Sequence, residues 1–236
     1  MTFSFRRLQA IVIKEWKDAV KNPQILLTAA MPIVFSFLFN RKGTSDPSIF
    51  TFPLLLAVSI TGAFVQANMI AEEKEKNTLR MLMLSPASPA EVLIGKSVAT
   101  TALTLIVMAG SVAVSVIPNV NPFWLAVLIV LLLIAFLAFG TTIGLLSRTV
   151  TESSIVGLPL MLVVIMGPLL ESSMNVGWFT AVVDWLPTRH FMLGVSGLLE
   201  GGGISDIGRH LSALFLWSVA ACALCVGVYA RKRIDR

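Results

Sequence analysis

The fold follows from three consecutive stretches: residues 54–67 (LLLAVSITGAFVQA), residues 71–96 (AEEKEKNTLRMLMLSPASPAEVLIGK) and residues 98–117 (VATTALTLIVMAGSVAVSVI). The first and third are apolar and uncharged, as membrane-spanning helices are. The second is dense in charge, although only 13% of the whole chain is charged. A charged, helix-forming segment held between two spans is suited to contact a partner in the water, so we predict a docking element.

The composition predicts an integral membrane protein. The chain is 56% hydrophobic with a mean hydropathy of +0.85, whereas soluble domains average about 45–50% apolar. We predict an all-α membrane fold in one domain, residues 1–236. Pro32 and Pro159 lie in the short first and fifth spans, which we expect to be kinked or to cross only partly. The six candidate spans are residues 24–39, 49–71, 97–117, 123–146, 154–170 and 211–230.

The distribution of positive charge predicts the orientation. With the N-terminus inside, all but four of the 18 lysines and arginines fall on the cytoplasmic side, which is the usual signal. Both termini are then cytoplasmic, in the inner or plasma membrane. The basic surplus would face anionic lipid, so we predict no nucleic-acid partner. The four exceptions are Arg41, Lys42, Arg189 and Arg209.

Residues 1–23 predict an amphipathic helix at the membrane surface, ended by Asn22-Pro23. Phe5, Leu8, Val12, Ile13, Trp16 and Val20 form one face at helical spacing, and basic residues form the other. Such a helix suits the headgroup region. Trp16 is a predicted membrane anchor. So is Lys96, whose ammonium we expect to snorkel at the inner end of the third span. An ordinary flank of a signal anchor is the alternative.

Residues 171–210 predict an outer segment of short re-entrant or surface helices, broken at Pro187 and at residues 201–203. Its two histidines, His190 and His210, are too far in sequence from further ligands to predict a zinc site. A surface or headgroup role is expected for each. Cys222 and Cys225 are expected to be small apolar residues of the last span. We therefore predict no metal site and no cofactor on this chain.

Enzyme chemistry has little support in the sequence. Residues 90–97 (AEVLIGKS) resemble a relaxed phosphate-binding loop, but such a loop joins a strand to a helix, and here Pro89 starts a helix that enters the membrane. No Asp, Glu, Lys, Arg or His lies inside the apolar runs. This argues against proton relays and against intramembrane hydrolysis. Sodium sites built from carbonyl and hydroxyl oxygens remain open.

The docking element, residues 72–96, has strong local signals. Glu72 and Lys76 are an opposite-charge pair four residues apart, and Leu79 and Leu82 give the helix an apolar side. Ser85-Pro86 and Ser88-Pro89 then break the helix, and Pro89 restarts it. A solvated connector between two spans is the alternative.

At these residues the chain resembles the ABC-2 type transporter permeases, the membrane subunits of ATP-driven exporters. The family pattern is a charged cluster, Gly-Thr-Leu-Glu, an apolar stretch, Ser/Thr-Pro, Glu and Gly-Lys. The residues that match are Glu73, Glu75, Thr78, Leu79, Ser85, Pro86, Glu91, Gly95 and Lys96. Asn77 and Arg80 replace the usual Gly and Glu.

The resemblance implies a permease that dimerises, as a homodimer or heterodimer, and binds a separate cytoplasmic ABC ATPase, which would carry the ATP and Mg²⁺. The segment between spans two and three would be the coupling helix, seated in a cleft of the ATPase. The chain itself would not be an enzyme. The predicted coupling residues are Glu72, Glu73, Glu75, Lys76, Thr78, Leu79, Leu82, Ser85 and Pro86.

The expected function is export of a hydrophobic or amphipathic substrate, such as a drug, lipid or peptide. Two alternatives stay open. One is a membrane anchor or immunity component that recruits an ATPase without moving a defined solute. The other is an ATP-independent carrier or channel.

Overall fold

The computed structural model describes residues 4–40, 47–76, 89–115, 120–171 and 176–234, and all regular structure in them is helical. This confirms the predicted all-α class. The helices are α1 (Phe5–Lys21), α2 (Pro23–Asn40), α3 (Pro47–Leu56), a π-helical stretch (Ala57–Phe64), α4 (Val65–Glu75), α5 (Pro89–Val114), α6 (Pro122–Leu146), α7 (Val150–Glu171), α8 (Gly177–Val183), α9 (Pro187–Leu199) and α10 (Ile204–Ile234).

Among the described residues, five helical segments are long and apolar enough to cross a membrane, or six if the bent pair α1–α2 counts as one span. Four of the five are α5, α6, α7 and α10. The fifth is continuous from Ile49 to Glu75 through the π-helical stretch. The chain is thus a multi-pass membrane protein, and the first predicted span is the one that length and composition alone do not establish.

The segment Ile49–Glu75 is the centre of the bundle. Of its most apolar window, 94% is buried by other helices, against 17% for α10. Helix α6 packs closely on it because Gly140 and Gly144 face Ala63 and Ala67. A Cβ atom at Gly144 would lie 2.6 Å from the carbonyl oxygen of Ala67. Small residues at such contacts let backbones of membrane helices touch.

A buried glutamine joins three helices in the same region. Gln66 of α4 donates to Ser97 Oγ at 3.0 Å and to Thr141 Oγ1 at 3.2 Å, and it accepts from Thr100 Oγ1 at 2.7 Å. A polar group in an apolar interior is costly unless it is hydrogen-bonded. These bonds therefore fix α4 against α5 and α6.

The bend between α1 and α2 is set by Asn22-Pro23. The Asn22 side chain accepts from the backbone N–H of Gln24 at 2.9 Å, which caps α2. Pro23 occupies the first helical position, where no backbone donor is needed. The axes of the two helices therefore meet at 78°.

A glycine turn reverses the chain between α9 and α10. Gly201 has a φ of +79°, which glycine adopts without strain. The N–H of Gly202 bonds to the carbonyl of Gly197 at 2.9 Å, and that of Gly201 to Leu198 at 3.2 Å. This is the Schellman arrangement that ends a helix. It brings the start of α10 back against α9.

Candidate functional site

Helix α1 crosses the start of α5 at Gly95. A Cβ atom at this position would lie 2.6 Å from Cγ2 of Ile11 and 3.6 Å from Leu8. A side chain would force the helices apart, because overpacked contacts cannot be absorbed without strain. Gly95 of the sequence pattern is therefore a packing residue that seats α1 on α5.

The side of α1 that packs inward coincides only in part with the predicted apolar face, of which Leu8, Val12 and Trp16 are half-buried. Glu15 and Ala19 are its buried residues, while Phe5, Ile13 and Val20 are 74%, 45% and 45% exposed. The sequence pattern alone assigns no role to Glu15. An acid on the buried side needs a partner of opposite charge, and the structure supplies one.

That partner is Lys96, the centre of a buried ionic cluster formed by Glu15, Glu73, Lys96 and Lys14. The Lys96 ammonium lies 2.8 Å from Glu15 Oε2 and 3.0 Å from Glu73 Oε1. Glu15, Glu73 and Lys96 are 3%, 6% and 2% exposed. Lys14 reaches the two carboxylates from the edge, at 2.9 and 3.5 Å. The cluster thus joins α1, α4 and α5.

The charges in the ionic cluster stabilise one another. Burial alone would raise the pKa of Glu15, but the Lys96 ammonium and its hydrogen bond outweigh this and hold the pKa below its usual range. Removing one member would leave a charge buried without compensation, which is far more costly than losing an exposed pair.

A second ion pair ties the other end of α1 to α5. Glu91, which is fully buried, lies 3.1 Å from the Arg7 guanidinium and accepts the backbone N–H of Ser4 at 2.6 Å. Glu91 is in the first turn of α5, where a negative charge is favoured by the helix dipole. Helix α1 is therefore anchored to α5 by ion pairs at both ends.

The last turn of α4 also contacts α6 and α7. Lys74 donates to the carbonyl oxygens of Leu145 at 2.7 Å and Gly144 at 3.4 Å, and to that of Ser147. Glu75 accepts the backbone N–H of Val150 at 2.8 Å. The charged turn of α4 is thus a junction between the helix ends on this side of the bundle.

The sequence pattern of one family, described as ABC-2 family transporter protein, matches residues 8–229. The chain belongs to this ABC-2 family. It is therefore the membrane-spanning permease of an ABC transporter, without an ATPase site of its own. The resemblance drawn from residues 73–96 is confirmed. A search among curated proteins gives no match.

The predicted coupling residues of the permease fall in two groups. Glu72, Glu73, Glu75 and Lys76 lie in the last turn of α4 and just after it, and the predicted Glu72–Lys76 ion pair is present. Glu72 raises the pKa of Lys76 through this hydrogen bond. The others, like the departures Asn77 and Arg80, lie outside the described residues: Thr78, Leu79, Leu82, Ser85 and Pro86.

Two expectations about side-chain position change. Glu73 is a predicted coupling residue, but its carboxylate is buried against Lys96, so it can act on a partner only through its neighbours. Lys96 does not snorkel, because its ammonium is enclosed by two carboxylates. Trp16, the other predicted anchor, is half-buried against a small cluster with Met69 and Leu103.

The phosphate-loop resemblance has no structural counterpart in the permease. Residues 90–97 lie within the continuous helix Pro89–Val114. Their backbone N–H groups are therefore directed along the helix and cannot wrap a phosphate. The predicted helix start at Pro89 agrees with the structure.

A charged cleft of about 790 Å³ opens beside the ionic cluster, between α1 and the end of α4. Charges of both signs line its wall: the lysines Lys14, Lys21 and Lys76, and the acids Asp18 and Glu72. Within the described ranges, no three His, Cys, Asp or Glu residues are grouped as metal ligands. The cleft is thus a zwitterionic surface at the end of the bundle where the docking element begins.

The two histidines, for which separate surface or headgroup roles are expected from the sequence, meet at the opposite end of the bundle. Nδ1 of His190 on α9 lies 3.2 Å from Nδ1 of His210 on α10. Burial, and then the positive charge of Arg209, lower the pKa of His190. The glycines 201–203 were the available signal, because a reversal there places the two helices side by side.

Proposed function

We propose that this permease dimerises and is driven by a separate cytoplasmic ABC ATPase to export a hydrophobic or amphipathic substrate. The permease would lie in the inner or plasma membrane with both termini in the cytoplasm. The observation that carries the proposal is the junction at the last turn of α4. Charged side chains of this one turn contact α1, α5, α6 and α7. These contacts give the adjoining residues 77–88 a mechanical connection to those helices.

The surroundings of that turn support the position of the ATPase. The zwitterionic cleft, with Lys76 and Glu72 on its wall, suits contacts with a charged cytoplasmic protein. Residues 77–88 include Leu79 and Leu82, which are proposed to enter the ATPase. The proposed role of Glu73 and Lys96 is to hold α1, α4 and α5 together as the base of the docking element.

Dimerisation and an apolar substrate are supported by the outer surface of the bundle. Large apolar side chains are exposed along α2 and α7, including Leu27 at 71% and Val163 at 66%. Faces of this kind contact lipid, a second permease or an apolar substrate. The substrate path is proposed to lie between the two permease subunits.

The experiment introduces charge into the docking element. Leu79→Asp combined with Leu82→Asp is expected to abolish co-purification of the ABC ATPase from native membranes, because a buried contact would then hold unpaired carboxylates. The permease should still reach the membrane. Ile204→Asp is the control, since Ile204 is exposed at the opposite end of the bundle.

The proposal fails if the Leu79/Leu82 variant retains the ATPase at the level of the unmodified permease. Flux in liposomes that contain the permease alone would favour the carrier or channel instead. ATPase binding without any substrate-dependent stimulation of hydrolysis would favour the anchor or immunity component.

A further inference from the structure

Lys74 and Glu75 are neighbours of opposite charge that bind the facing ends of two consecutive helices. Lys74 contacts the C-terminal end of α6, and Glu75 contacts the first residue of α7. A helix carries partial negative charge at its C-terminus and partial positive charge at its N-terminus. Each side chain therefore has the sign that its helix end attracts.

The connection that they hold, residues 147–149, has its own cap. Thr149 Oγ1 accepts the backbone N–H of Glu152 at 3.1 Å, and Glu152 Oε2 accepts that of Arg148 at 2.6 Å. This resembles a capping box, which makes a helix start rigid. A displacement of Glu75, which bonds to the backbone N–H of Val150, would therefore move α7 as a whole.

The backbones of α4 and α6 are closely packed at Gly144, the residue whose carbonyl Lys74 contacts. The carbonyl of Gly144, which Lys74 reaches, belongs to the residue whose missing Cβ lets α6 touch Ala67 of α4. Closely packed helices shift as units rather than deform continuously. The end of α6 is therefore held against α4 by two contacts, one from the Lys74 ammonium to the carbonyl of Gly144 and one between the Gly144 backbone and Ala67, which lies earlier in α4.

We propose that Lys74 and Glu75 are positioning residues that pass movement of residues 77–88 to residues 147–149. Both inner connections of the permease would then move together when the ATPase acts, and α6 and α7 would follow α4. This inference rests on the proposed function and names the route by which that function reaches the second half of the bundle.

The test follows the two connections separately by spin labelling. In a Cys222→Ala, Cys225→Ala background, one label is attached at Leu82→Cys and another, in a separate protein, at Arg148→Cys, which is exposed. The complex with its co-purified ATPase is compared without nucleotide and with ATP, Mg²⁺ and vanadate. Both labels should change their spectra in the otherwise unmodified complex.

Lys74→Met removes the charge and keeps the side-chain length. We expect it to abolish the change at residue 148 while the change at residue 82 persists. Lys74→Arg should restore the response at residue 148. Lys17→Met is the matched control, because Lys17 is an exposed lysine of α1 that does not line the charged cleft, and it should leave both responses intact.

A full response at residue 148 in Lys74→Met would overturn the inference while leaving the proposed function in place. If Lys74→Met does not assemble, Glu75→Met decides, because it removes the oxygen that accepts the Val150 N–H: loss of the response at residue 148 supports the route and a full response overturns it. Absence of any response at residue 82 in the unmodified complex would refute the proposed function itself, and the inference with it.

Discussion

Single residues at the charged end of the bundle have roles that their spacing in the sequence does not reveal. In the hydrophobic pattern of the sequence, Glu15 cannot be told apart from any other polar residue of an amphipathic helix, yet it is buried with Lys96. The pairing joins residues 81 positions apart. Helical periodicity reports which residues share a face and says nothing about which helix that face meets.

Lys96→Met should lower the free energy of unfolding by about 3–5 kcal/mol, because Glu15 and Glu73 would lose their shared buried counter-charge. Unfolding by SDS in mixed micelles measures the change. Lys76→Met removes a lysine from an exposed pair and should have little effect. Equal destabilisation by the two substitutions would contradict the buried cluster.

His190→Gln should weaken the acid sensitivity of the opposite end. The pKa of His190 is lowered in the fold, so its contribution is fully present above its unfolded value of about 6.5 and is lost progressively as the pH falls from there through the lower pKa of the folded state. Arg209, Asp184 and Arg189 are the charged groups that act on the pKa of His190, and His210 is in contact with it. The thermal midpoint between pH 7.5 and pH 5.5 should fall less in the variant than in the unmodified protein, and an equal fall would contradict this.

At the scale of elements, the sequence predicted what depends on local signals. Helix α1 lies within the predicted residues 1–23, Asn22-Pro23 and Pro89 are helix boundaries, and α9 begins at Pro187. The central position of Ile49–Glu75 could not be predicted from the sequence, because all the apolar runs have similar composition. That position depends on where small residues face one another.

Gly140→Ala should therefore destabilise the bundle by about 1–3 kcal/mol, since the new methyl group would overlap the backbone of Ala63. Gly227→Ala is the matched control: it lies in α10 with no atom within 4 Å of the added Cβ. Alanine there should be neutral or slightly stabilising, because it is the better helix former. Comparable losses in both variants would refute the close contact.

At the scale of the whole molecule, the two ends of the bundle are chemically different. Buried ion pairs concentrate where α1 meets α4 and α5, whereas the histidine pair and the glycine turn lie at the other end. The sequence predicted the charged end as the docking side from residues 71–96. The ties among α1, α4, α5, α6 and α7 needed the structure, because each joins residues far apart in the chain.

The central claim is that residues 77–88 contact an ABC ATPase, and photo-cross-linking tests it most directly. A benzophenone amino acid is placed at Leu82, with Ile204 as the control position, and native membranes are irradiated with and without ATP. We predict a cross-link from residue 82 to a subunit that carries an ABC nucleotide-binding site, with a yield that changes on addition of ATP, and none from residue 204. Cross-linking from residue 82 to lipid alone, or equally to the same subunit from both positions, would contradict the account.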